Sequence, residues 1–219
     1  GFPAIPNDFR YKFSWSPIGV IKALNNDAKF IKNEKLNIVT PYKNVSNYSV
    51  NNEVYEAYPN RDSTPYINEY NFDNDWKIEE FVRGTLRLDG WKEAWSDIFN
   101  MLDQKSTDID NKIALKSQEL WNNHQYEKNE EDRVVLYVKL QATNRGQKVF
   151  NGSYFLDEKG SGKNTAMGKL VSLTLSATID LLLDNKLESG VQAAPQKHDH
   201  ISYYFSILNQ NKINIIKNI

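Results

Sequence analysis

The chain has 219 residues, 40% hydrophobic and 12% aromatic, with a formal net charge of -1 and no cysteine. That suffices for one large domain with a packed core, or for a domain and part of another. No basic surplus points to nucleic acid or an acidic membrane surface, and thiolate catalysis, disulfides and cysteine-ligated zinc are excluded within the chain.

Gly1-Phe2-Pro3-Ala4 enters structured-looking sequence at once and without an initiator methionine, so a fragment of a longer chain is expected. Ser16-Pro17 reads as a cap followed by proline in a first helical turn, and Ile18, Val20, Ile21, Leu24, Ala28 and Ile31 predict a helix to about Lys32. Leu36–Thr40 predicts a strand, Tyr42–Asn52 a loop and Glu53–Tyr58 a second strand. Asp62-Ser63-Thr64-Pro65 opens a short helix to about Tyr70, and Lys77–Leu88 reads as a strand interrupted at Gly84, where a bulge or a close backbone approach is expected. Gly90–Leu102 and Ile109–Trp121 predict amphipathic helices, and Asn122–Asp132 a charged connector. Arg133–Thr143 and Lys148–Leu156 alternate around Asn144-Arg145-Gly146-Gln147, a hairpin signal. Glu158–Lys163 reads as a loop, Thr165–Leu183 as the longest and most apolar helix, and Ile201–Ile216 as a closing helix. The fold class is α+β: a mixed, largely antiparallel sheet with helices packed on one face. No apolar run reads as long enough to span a bilayer and no leader is visible, so a soluble, cytoplasmic protein is expected.

Two arginine clusters carry the chemistry. Tyr58-Pro59-Asn60-Arg61-Asp62-Ser63-Thr64 and Phe81-Val82-Arg83-Gly84-Thr85-Leu86-Arg87 each place arginine beside short polar side chains and a turn-former. A planar fork of donors completed by small hydroxyl or amide groups suits a carboxylate, and two such clusters suit a ligand with more than one; paired surface ions are the competing reading. Other motifs fail. Gly160-Ser161-Gly162-Lys163-Asn164 lacks the leading glycine and the closing hydroxyl residue of a phosphate loop. His198-Asp199-His200 has no third ligand and reads as a solvated loop, so no metal is expected. No G-x-G-x-x-G opens a helix, so the chain alone is expected to bind no nicotinamide cofactor.

Tyr11-Lys12-Phe13-Ser14-Trp15-Ser16 with Gly19, then Tyr58–Thr64, then Arg83–Arg87 with Gly90, resemble the saccharopine dehydrogenase (glutamate-forming) family, also called saccharopine reductase. Thr165-Ala166-Met167-Gly168-Lys169, Gly190-Val191 and Ala194-Pro195 are similar to that family's closing region, and Gly1–Ala4 to the stretch leaving its nucleotide-binding domain. The resemblance implies a C-terminal, substrate-binding domain of an NAD- or NADP-dependent oxidoreductase. Such enzymes interconvert saccharopine with glutamate and 2-aminoadipate 6-semialdehyde in lysine metabolism. It implies Arg61 as a substrate-carboxylate ligand with Asn60 and Ser63 beside it, Gly1, Phe2 and Pro3 lining the cleft, and Lys12 and Arg83 as further substrate-binding residues. No catalytic acid or base is assigned.

The resemblance also implies a division into a substrate-binding α+β domain, 1–164, and a segment, 165–219, returning to the nucleotide-binding domain. Ile18 stands where the family often has arginine, and the Lys-rich segment before Thr165 is unlike the usual one. A related polyamine-pathway dehydrogenase and a non-catalytic ligand-binding or dimerisation module are the alternatives. Leu170, Val171, Leu173, Leu175, Ile179, Leu181, Leu182 and Leu183 leave the late helix apolar almost all round. Such a helix needs cover on more than one side, so self-association through Thr165–Leu187 and a homodimer are expected.

Overall fold

The computed structural model describes residues 1–104, 106–191 and 194–219. Residue contacts divide the chain into two units, Gly1–Lys128 and Asn129–Ile219. The division expected at 164/165 concerned which segment returns to another domain, a different partition from this one.

In the first unit, β1 (Phe2–Pro3) and α1 (Ile18–Asn25) precede two three-stranded antiparallel sheets. One sheet has the order β3-β2-β6, from β2 (Ala28–Lys32), β3 (Lys35–Val39) and β6 (Glu80–Phe81). The other has the order β4-β5-β7, from β4 (Ser46–Val50), β5 (Glu53–Pro59) and β7 (Gly84–Leu88). Short helices α2 (Pro65–Glu69) and α3 (Trp91–Ala94) follow their strands, and α4 (Ser96–Asp103) and α5 (Ile109–His124) close the unit. Each hairpin turns through two residues of positive φ, Asn33-Glu34 at 52° and 60°, and Asn51-Asn52 at 48° and 65°. Asparagine tolerates that region because its short side chain can bond its own backbone. The core is aromatic: Trp91, Trp95, Tyr11 and Phe13 are enclosed with Ile21, Leu24, Ile98, Ile113 and Leu120.

The second unit is built on a long hairpin of β8 (Asp132–Asn144) and β9 (Gln147–Lys159), with β10 (Ile215–Asn218) antiparallel to β9. Arg145 and Gly146, at φ 50° and 78°, make the two-residue turn that the sequence signals. Helices α6 (Ala166–Leu183) and α7 (His198–Gln210) complete it. Helix α6 is capped from two directions. The Thr165 hydroxyl accepts the Gly168 amide at 3.1 Å, while the buried Asp132 carboxylate accepts the Ala166 and Met167 amides at 2.5 and 2.9 Å. The carboxylate satisfies two orphan donors and complements the helix dipole. Gly160 makes room for it, since a Cβ there would meet Asp132 and sit 3.1 Å from the Ala166 nitrogen.

The α+β class holds, with three antiparallel sheets among the described residues rather than one. Several local expectations need correction. The first helix ends at Asn25, and Ala28 and Ile31 belong to a strand, because Asn25-Asn26-Asp27 stops the helix with Asn26 extended. The expected loop 42–52 contains a 3-10 turn and β4, whose polar side chains are mostly exposed and so hide the alternation. The strand expected over 77–88 is split between two sheets, with Gly84 pairing with Pro59 at a point where an added Cβ would come 3.4 Å from the Tyr58 carbonyl oxygen. The closing helix stops at Gln210, and Ile215–Asn218 are strand. His198-Asp199-His200 begins α7 rather than forming a solvated loop, and His200 is buried.

Helix α6 also corrects the bilayer expectation. Its 18 residues average a hydropathy of 1.5, enough in length and composition to cross a membrane, with 17% of them buried. It reaches that value with polar residues interspersed, which an unbroken apolar run would not contain. Its two charges are held within the unit, Lys169 by Glu158 at 2.7 Å and Asp180 by the Tyr203 hydroxyl at 3.0 Å. The Thr174 and Thr178 hydroxyls bond carbonyls of their own helix.

Candidate functional site

Strands β5 and β7 run side by side to the pair Pro59–Gly84, where both chains leave the sheet. The Asn60 amide donates to the Arg83 carbonyl at 3.0 Å. Arg61 then takes φ 60°, left-handed backbone that costs a non-glycine residue roughly 1–2 kcal/mol. The surroundings enforce it. The Lys29 amide donates to the Arg61 carbonyl at 2.8 Å, and the Ser63 amide donates to the Lys29 carbonyl at 2.8 Å, tying the turn to β2. Asp62 accepts the Thr64 amide at 2.9 Å and hydroxyl at 2.7 Å and faces Lys29 at 3.4 Å. These hydrogen bonds, with Lys29 adding to them, hold its carboxyl below the usual range. Asp62 is thereby occupied with its own loop, and the Arg61 side chain is exposed.

Ser63 is fully buried, and its hydroxyl accepts the Arg83 amide at 3.0 Å. Expected beside Arg61 as a ligand group, it lies behind the loop and acts on Arg83. The Arg83 guanidinium is exposed and lies over the Tyr66 ring, 3.8 Å from its centroid. Neither Arg61 nor Arg83 is in an ion pair among the described residues. The bonds of Asn60 and Ser63 to the Arg83 main chain thus join the segment of Arg61 to that of Arg83, so that two exposed arginines without an ion pair among the described residues leave adjoining backbone, an arrangement suited to an anion.

Arg87 occupies a different setting. Its guanidinium lies 4.9 Å from the Tyr11 ring centroid and 5.4 Å from those of Tyr58 and Trp91, and Nη2 donates to the Tyr58 hydroxyl at 2.7 Å. Its Nε and the Trp91 indole nitrogen are buried without an acceptor among the described residues. Burial pushes the Tyr11 phenol up, partly opposed by Arg87. The bond to Tyr58 steadies the strand end from which Arg61 projects.

The remaining expected residues form a second group. The Lys12 amide donates to the Gly1 carbonyl at 3.1 Å, the Tyr126 hydroxyl donates to the Phe2 carbonyl at 2.8 Å, and Phe2 stacks on Tyr55 of β5 at 5.9 Å. Pro3 is fully buried and Lys12 half-buried. Arg61, Asn60, Ser63 and Arg83 are thus one cluster, and Gly1, Phe2, Pro3 and Lys12 another, joined through β5. Beside the second group His124 stacks on Phe9 at 3.8 Å, and burial, then Lys12, lowers its pKa. Tyr66 and the Arg87–Tyr58 pair were missed from sequence. Arginine–ring stacking has no spacing signature, although Pro65 at the head of α2 does fix where Tyr66 falls.

No group of three or more His, Cys, Asp or Glu side chains that could hold a metal occurs among the described residues. A dinucleotide fits poorly at the one helix whose entry resembles a phosphate loop. The amides at the start of α6 are already bonded to Asp132, and a carboxylate there repels a pyrophosphate.

Residues 1–213 match the family described as the saccharopine dehydrogenase C-terminal domain. Saccharopine dehydrogenase [NADP(+), L-glutamate-forming] of Pyricularia oryzae is 27% identical over 268 aligned positions, covering 86% of this chain and 57% of that protein. The Schizosaccharomyces pombe protein of the same name is 40% identical over 96 positions, covering 40% of this chain and 20% of its own. Alpha-aminoadipic semialdehyde synthase, mitochondrial, of Rattus norvegicus is 37% identical over 98 positions, 40% of this chain and 10% of that one. In fold, the chain resembles apo histidine-tagged saccharopine dehydrogenase (L-Glu forming) from Saccharomyces cerevisiae, with a TM-score of 0.76 at 22% identity, over 100% of this chain and 65% of that one. The chain thus spans little more than half of the Pyricularia protein.

Proposed function

The chain belongs to the saccharopine dehydrogenase C-terminal domain family, and from that premise we propose that it is the substrate-binding part of an oxidoreductase interconverting saccharopine with glutamate and 2-aminoadipate 6-semialdehyde. The observation that carries this reading is the unpaired Arg61–Arg83 cluster at the end of β5 and β7. Saccharopine bears three carboxylates, and each, once withdrawn from water, needs its own donors. Arg61 binds one of them and Arg83 a second, with Asn60 completing the shell and Ser63 and Lys29 holding the loop. Gly1 and Lys12 line the adjacent wall, and Phe2 and Pro3, expected there, are buried behind it as its support. The nicotinamide cofactor, NADP by analogy with the names of the relatives, supplies hydride chemistry from a separate nucleotide-binding domain. Residues 165–219 return towards that domain, and the enzyme is a cytoplasmic homodimer.

The test is kinetic, on the full-length protein. Lysine carries a point charge and not a fork. Arg61→Lys therefore lowers kcat/KM for saccharopine by about 2–4 kcal/mol in apparent transition-state binding, much of it from a carboxylate left imperfectly paired. Kinetics indistinguishable from wild type overturn the assignment. The 219-residue chain alone, titrated calorimetrically with NADPH or NADH, gives no binding heat; micromolar binding overturns the separation of cofactor and substrate domains.

A further inference from the structure

Arg83 is fixed at three points. Its amide is held by the Ser63 hydroxyl at 3.0 Å, its carbonyl by the Asn60 amide at 3.0 Å, and its guanidinium lies over Tyr66 at 3.8 Å. Ser63 links two of these elements, because its carbonyl also accepts the Tyr66 amide at 3.2 Å. Tyr66 in turn belongs to a chain of rings. It contacts Tyr70 at 5.9 Å, Tyr70 contacts Phe81 at 6.3 Å, and Phe81 contacts Phe72 at 5.6 Å. The platform and the cation it supports are therefore set by the same loop.

Guanidinium donors all lie in the plane of the group. A ring stacked on one face occupies the surface that cannot donate and leaves the donating edge open to a planar carboxylate. It also removes most of the rotamer freedom that a long exposed side chain otherwise gives up on binding. We propose that Tyr66 is a positioning residue for substrate recognition, one that orders the Arg83 guanidinium for bidentate capture of a carboxylate without touching the substrate itself. The proposal rests on the reading of Arg83 as a substrate ligand. The Tyr66 hydroxyl makes no hydrogen bond among the described residues, so only the ring is required.

The experiment is a double-mutant cycle on the full-length protein, read as the affinity for saccharopine by calorimetry, with thermal melting to check folding. Tyr66→Leu weakens binding roughly fivefold, the size of a cation–π contact at an exposed site. Tyr66→Phe keeps the ring and stays within about twofold of wild type. In an Arg83→Ala background Tyr66→Leu produces no further loss. Unchanged affinity in Arg83→Ala overturns the reading of Arg83 as a ligand, and this inference with it. A normal loss in Arg83→Ala, joined by a full extra penalty from Tyr66→Leu or by equal damage from Tyr66→Phe, overturns the positioning role alone.

Discussion

Trp91 and Trp95 in the first unit are fully enclosed, whereas Leu175 and Ile179 in the second, equally apolar, stand 57% and 46% exposed. The first unit folds its helices α3, α4 and α5 over an aromatic cluster that closes on itself. The second leaves Val171, Leu175, Ile179, Leu182 and Leu183 of α6 open, along with Leu136, Val138 and Leu140 on one face of β8. Spacings of four along a helix and two along a strand put these residues on common faces, so they are continuous surfaces rather than scattered exceptions. The contrast separates a part whose large apolar side chains close into a core from a part that leaves apolar faces open.

The largest effect expected from this contrast lies in the closed core. Trp95→Ala removes a buried ring whose indole also donates to the Phe9 carbonyl at 3.2 Å, and it costs about 3–5 kcal/mol of stability, read by urea unfolding. A loss below about 1 kcal/mol would show that the aromatic cluster is looser than its burial implies. Next is Asp132→Ala, which unsatisfies two amides at the start of α6 and costs about 2 kcal/mol. Hydrogen exchange should accelerate in the first turn of α6 and leave α5 unaffected; uniform acceleration across both units would show that they unfold as one cooperative body.

Leu175→Glu sharpens the contrast from the other side. On an open surface it changes stability by within about 0.5 kcal/mol, yet it should reduce self-association of the chain measured by light scattering. A chain that is monomeric with and without the substitution means the α6 face is no interface between copies.

The smallest effect concerns pH. His124 is held below its usual pKa of about 6.5, so the unfolded chain binds its proton first as the solution is acidified. The contribution is fully present above about pH 6.5 and is lost as pH falls through the folded value. His124→Phe retains the stack on Phe9 and flattens that part of the stability profile. The paired Asp62 acts in the same direction in a lower window, beginning near the usual carboxylate range. An unchanged slope in His124→Phe assigns the acid sensitivity elsewhere.

The sequence carried the elements where local rules and tertiary packing agree. The hairpin at Arg145-Gly146 and the helix opened by Pro65 are both signalled by turn and cap chemistry, and both are present. It misled where a polar surface masked a strand, as in Ser46–Val50, and where one apolar run served two elements, as in Val20–Ile31. The exposed apolar stripe of α6 was legible from composition alone, since no single buried face could use that many leucines. The proposed site was legible as two arginine motifs because carboxylate chemistry leaves a residue signature. Its internal wiring was not. Ser63 behind the loop, Tyr66 beneath Arg83 and Tyr58 against Arg87 join residues far apart in sequence, and hydroxyls and rings at such positions look like any others.

The crystal structure of the full-length protein with saccharopine and cofactor tests directly whether Arg61 and Arg83 hold the substrate. Substrate carboxylates are expected within hydrogen-bond distance, about 3 Å, of the Arg61 and Arg83 guanidiniums, with Arg83 still lying over Tyr66. Substrate held entirely by other residues, with both guanidiniums left in solvent, would contradict that role.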